Sequence, residues 1–99
     1  MLKFRVKNAD SLLAKCKKAV LNLGYRIDKV DKINETIYAI CNVSNFSWGN
    51  NIEIRIKKNK VSSTISINAT NSVTIQIDFG KNKSIENALF EEIMKLVEL

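Results

Sequence analysis

Leu2, Phe4 and Val6 alternate with Lys3, Arg5 and Lys7, and the same two-residue alternation returns along residues 52–57, 61–69 and 73–79. A period of two turns successive side chains to opposite faces, so each stretch reads as a strand with one buried and one solvated face. Tyr25 and Ile27 open a further strand. Residues 36–43 are apolar on both faces, with Ile37, Ala39, Cys41 and Val43 on one and Tyr38 and Ile40 on the other. That pattern predicts an interior strand. Polar breaks at 31–35, 48–50, 58–60 and 70–72 are short enough to join consecutive strands as an antiparallel meander.

Two stretches change period. Leu12, Leu13, Cys16, Ala19, Val20 and Leu23 recur at helical spacing after the capping candidates Asn8 and Asp10, and Gly24 follows as a terminator. A helix is expected from about residue 10 to 23. The second helix is expected to be capped by Ser84, with Ile85, Ala88, Leu89, Ile93, Leu96 and Val97 as its apolar stripe. Glu86, Glu91, Lys95 and Glu98 then form its wet side, with acid near the start suiting the helix dipole.

The expected fold class is therefore α+β, in the order strand, helix, antiparallel meander of four or five strands, helix. Both helices should pack on one face of the sheet, because each has one apolar stripe and the sheet has one consistently apolar face. Ile54, Ile65 and Ile75 should lie beneath the helices, and Arg55, Ser66 and Gln76 should face solvent.

With 99 residues the chain is expected to be a single domain, 1–99, and its 45% hydrophobic and 26% charged content suits a folded one. Basic residues interrupt every apolar stretch at the amino end, so neither a membrane segment nor a signal segment is expected, and the expected location is cytoplasmic. Cys16 and Cys41 are 25 positions apart and histidine is absent. They are expected to be buried thiols, with no metal and no cofactor.

Charge changes the picture more than composition does. Residues 1–32 hold nine Lys or Arg against Asp10, Asp28 and Asp31, which accounts for the whole net charge of +6. Lys, Asn and Ile, which share A/T-rich codons, supply 38 of the 99 residues, so coding composition contributes to the lysine count. Strand alternation nevertheless turns Lys3, Arg5 and Lys7 to one side. With Arg26, Arg55 and Lys57 they form the candidate polyanion-binding set.

Other candidates are narrower. Gly80, Lys81, Lys83 and Ser84 stand at a helix start, where free N–H groups attract anions. They do not form a P-loop, which needs a glycine at position 75, occupied here by Ile. Tyr38, Phe46 and Trp48 are the candidate exposed aromatics on which bases could stack. Asp28, Glu53 and Asp78 could share the wet face, but an open, lysine-rich surface lowers carboxyl pKa values, so no enzyme activity is expected.

The order β-α-β4-α resembles one repeat of the TATA-binding-protein-like fold. Separately, Ser47-Trp48-Gly49-Asn50, followed by a meander ending in Asp78-Phe79-Gly80-Lys81-Asn82-Lys83 and then a helix, is similar to a small bacterial family of unknown function. That resemblance spans about residues 36–99 and implies no activity. Members of the family often carry a membrane or lipoprotein segment upstream, and this chain is expected to depart from them by starting directly at the domain.

The function expected is a non-catalytic binding or interaction domain. One alternative is weak binding of nucleic acid or another polyanion through the basic first strand and the wet sheet face. Another is a carrier of a small apolar ligand, with a cavity of about 300 Å³ or more between helices and sheet. Expected partners are nucleic acid, an acidic protein or a second copy of the chain.

Overall fold

In a computed structural model, residues 1–7, 11–41, 49–71 and 80–98 are described. The elements run β1 (Leu2–Lys7), α1 (Leu12–Asn22), β2 (Arg26–Asp31), β3 (Thr36–Cys41), β4 (Asn50–Lys58), β5 (Ser62–Asn71) and α2 (Lys81–Glu98). The α+β reading is correct. The strand expected at 73–79, with Ile75, Gln76 and Asp78, lies outside the described residues.

The sheet has the order β1-β5-β4-β3-β2, and every neighbouring pair is antiparallel. Strands β2 to β5 form the meander, while β1 joins its far edge beside β5. Four antiparallel steps separate β1 from β2, so these two edge strands run in the same direction. Connecting them takes a crossover, which α1 supplies.

Helix α1 ends as Gly24 predicts. Gly24 has φ +79°, its N–H donates to the Leu21 carbonyl at 3.0 Å, and the Tyr25 N–H donates to Val20 at 3.1 Å. These paired bonds satisfy the last carbonyls in a Schellman motif. At its other end, Ser11 occupies the N-cap at φ 66° without a side-chain cap bond, whereas Asn8 and Asp10 lie outside the described residues.

Helix α2 corrects two expectations. It begins at Lys81, and the Ser84 N–H donates to the Gly80 carbonyl at 3.0 Å. The residue whose carbonyl accepts the first intrahelical bond is the cap, so Gly80, at φ +79°, holds that position and Ser84 sits inside the first turn. Glu86 does not belong to the wet side: it is buried, and its carboxylate accepts the Ala69 N–H at 2.9 Å. Pairing of β1 with β5 stops at Leu2 opposite Ile67, two residues short of Ala69, so the side chain serves an amide that the edge strand does not reach. No acidic residue occupies the first turn.

One sheet face carries the core. Ile37, Ile54 and Ile67 lie in a single cross-strand row that continues to Leu2, and Ile56 and Ile65 form the next row with Phe4. Leu12, Cys16, Ala19 and Val20 of α1 and Ile85, Leu89 and Ile93 of α2 bury against this surface. Phe4 and Phe90 add an edge-on ring pair at 4.7 Å. Cys16 and Cys41 are both buried, as expected.

Candidate functional site

With both helices on one side, alternate residues of all five strands form an open surface. The register orders it into rows. Lys7 lies opposite Ser62; Arg5, Thr64 and Lys57 form the next row; Lys3, Ser66, Arg55 and Thr36 follow. Beyond them come Asn68, Glu53, Tyr38 and Lys29, and then Thr70, Asn51, Ile40 and Arg26.

Five of the six candidate cations are thereby gathered at one end of the face. Lys3, Arg5 and Lys7 follow one another along β1, while Arg55 and Lys57 stand two strands away, roughly 10 Å across the sheet. Between them runs a stripe of hydroxyls from β5: Ser62, Thr64 and Ser66. The five cations are exposed and the three hydroxyl residues are half-buried. A shallow depression of about 290 Å³ opens within this region, lined by Met1, Lys3, Glu53, Arg55, Ser66 and Asn68.

Arg26 does not join the cluster. It lies on the opposite edge strand at the far end of the rows, on the order of 25 Å from Arg5 by strand spacing and rise. In its half of the face the register shifts between Ile27 and Lys29, leaving Asp28 in the bulge and setting Lys29 opposite Tyr38. Strict alternation from Arg26 would have given that place to Asp28.

Arg55 has a partner within the site. Its Nε and Nη2 both lie 2.8 Å from Glu53 Oε1, and this contact, with a smaller contribution from Tyr38, raises the guanidinium pKa further. Both groups are solvent-accessible, so the pair is easily screened. Tyr38 itself is half-buried and borders a second depression, of about 370 Å³, with Asn34, Thr36, Arg55, Ile56 and Lys57. Phe46 and Trp48 lie outside the described residues.

The helix-start candidates are arranged less favourably for an anion. Gly80, Lys83 and Ser84 are exposed, but the Ser84 N–H is taken by the Gly80 carbonyl, and the Asn82 amide accepts a 2.6 Å bond from Asn50. The Lys81 side chain is outside the described set. An open cleft of about 330 Å³ nearby is lined by Lys83 and also by the Glu86 carboxylate. Its polar groups therefore carry both signs.

For an apolar ligand, the relevant opening is a cleft of about 480 Å³ between β1 and α2, lined by Arg5, Val6, Lys7, Met94 and Val97. It is open to solvent at the sheet edge. Among the described residues, no group of three or more His, Cys, Asp or Glu could hold a metal, and no helix is long and apolar enough to cross a membrane.

No family model matches this chain, and no curated protein matches its sequence.

Proposed function

We propose that the protein is a non-catalytic binding module whose working surface is the open sheet face, and that it binds polyanions there without sequence preference. The observation that carries this reading is the convergence of Lys3, Arg5, Lys7, Arg55 and Lys57 at one end of that face, with one carboxylate, Glu53, beside them. Such a cluster attracts phosphates through charge and releases their counterions, which gives affinity without reading bases.

Arg26 is on the same face but far from the cluster, and the helix lysines Lys15, Lys17 and Lys18 are on an element that packs behind the sheet. The test is a fluorescence-anisotropy titration with labelled oligonucleotides at about 50 mM salt. Dissociation constants of about 10–100 μM are expected, with log affinity falling against log salt at a slope of about −3 for four or five neutralised phosphates on a single strand. Changing Lys3, Arg5 and Lys7 together to Gln should flatten the slope by about two. The corresponding Lys15, Lys17 and Lys18 variant should leave it nearly unchanged. No binding below about 100 μM, or equal effects of the two variants, would remove the reading.

A further inference from the structure

We propose that the polyanion is a single-stranded nucleic acid, lying along β5 with its phosphates on the two cation rows and a base stacked on Tyr38; this rests on the polyanion reading above. Three features of the face support that occupant.

The first is spacing. Lys3, Arg5 and Lys7 repeat every second residue, about 6.8 Å along the strand. That step is close to the one-phosphate-per-nucleotide repeat of an extended single strand. It is far wider than the step between phosphates of an inorganic polyphosphate.

The second is width. The cation rows span only β1, β5 and β4, about 10 Å of a sheet about 19 Å wide. On the other half, Asp31 stands in the Arg55 row, its carboxylate accepting the Ile33 and Asn34 N–H groups at 3.1 Å, and the cations there, Lys29 and Arg26, lie apart from the cluster. A duplex broad enough to cover the sheet would set its second strand over this half, where Asp31 faces it and the cations are scattered. A single strand fits within the basic half.

The third is the place of Tyr38. It borders a depression together with Arg55 and Lys57, the inner cation row, so a base turned away from phosphates on that row reaches the tyrosine ring. Paired bases in a duplex are stacked on one another and do not present a free face there. The hydroxyls of Ser62, Thr64 and Ser66 lie under the sugar-phosphate chain and can donate to it.

Anisotropy titrations of the intact chain with a single-stranded 12-mer, the corresponding duplex and, as competitor, inorganic polyphosphate at equal charge test the inference. The single strand should bind at least about 5-fold tighter than the duplex and should not be displaced preferentially by polyphosphate. Tyr38→Ala should weaken single-strand binding about 5-fold or more without changing the salt slope, and Tyr38→Phe should retain it. Tyr38→Leu, which keeps apolar volume beside Ile40, gives the same comparison where the alanine variant loses its circular-dichroism signature. Thr64→Glu should abolish most binding, because it sets a carboxylate between Arg5 and Lys57, whereas Thr70→Glu on the same strand should have a smaller effect. Duplex binding equal to or tighter than single-strand binding overturns the inference while leaving the polyanion reading intact. So does a Leu variant equal to wild type. Failure of every polyanion to bind removes both.

Discussion

The two faces of this sheet are built from the same strands and differ in what a side chain does for the molecule. On the covered face, Ile37, Ile54, Ile65 and Ile67 are fully buried, and their removal from water is a principal source of stability. On the open face, Lys3, Arg5 and Lys57 are exposed and Ser62, Thr64 and Ser66 are half-buried. The difference teaches that adjacent residues of one strand can be separated into stability and binding. Ile65 and Ser66, or Ile56 and Lys57, are neighbours in sequence with nearly independent roles. Some residues cross the division, among them Glu86, a carboxylate on the covered side, and Tyr38, a large aromatic on the open side.

The division is broken most directly by truncation on each face. Ile65→Ala should cost about 2–5 kcal/mol of unfolding free energy, because the site is closed over by helix and cannot collapse fully, whereas Ser66→Ala should stay within about 0.5 kcal/mol. Urea melts compare the two; similar costs would show that the faces do not divide as described.

Glu86 provides the next largest effect. Glu86→Ala should lose about 1–3 kcal/mol, since it leaves the Ala69 amide without its acceptor. Amide exchange at Ala69 should accelerate in the same variant. Unchanged protection there would show that another group takes over the bond.

Cys16 extends the comparison to pH. Burial pushes its thiol from 9.0 up to about 12, so the folded chain keeps a proton that the unfolded chain releases. A raised folded pKa makes this contribution complete below about pH 9 and diminishes it as pH climbs toward 12. Between pH 9 and 10.5 the loss should reach about 2 kcal/mol, from the linkage of one proton. Cys16→Ala should remove that part of the alkaline slope, as measured by melts at each pH.

The smallest effect sharpens the open face. Glu53 engages Arg55, so Glu53→Gln should free the guanidinium and improve polyanion affinity by about 2- to 5-fold, within the range of an exposed ion pair. Stability should change by less than about 0.5 kcal/mol. An anisotropy titration showing weaker binding would mean that Glu53 positions Arg55 productively.

Much of this arrangement is legible along the chain. The alternation of Leu2 to Lys7 and of residues 52–57 places each side chain on its observed face, and the spacing of Leu12, Cys16, Ala19 and Val20 gives the buried stripe of α1. Gly24 marks the helix end. The candidate site is legible in part, since Lys3, Arg5 and Lys7 share a face by local periodicity alone. Arg55 and Lys57 have the same relation to each other, but nothing local says how close they lie to β1.

Other features depend on partners distant in sequence. Lys29 takes the place on the face that alternation gives to Asp28 because β2 bulges against β3, and the bulge is a property of the pair. Ser84 has the chemistry of a cap, yet the chain enters α2 four residues earlier, at Gly80, whose positive φ has no side-chain signature beyond glycine itself. Glu86 looks solvated by composition and is buried because an unpaired amide of β5 needs it.

Sequence by itself determined the elements, the face that each strand turns inward and the common direction of the β1 cations, because these follow from local periodicity and backbone sterics. Tertiary structure alone decided the strand order. By placing β1 beside β5, it set Lys3, Arg5 and Lys7 across from Arg55 and Lys57 and sent Arg26 to the opposite edge. The physical reason is that alternation is encoded residue by residue within a strand, whereas strand order is settled by the long-range pairing and helix packing that bury the whole apolar face at once.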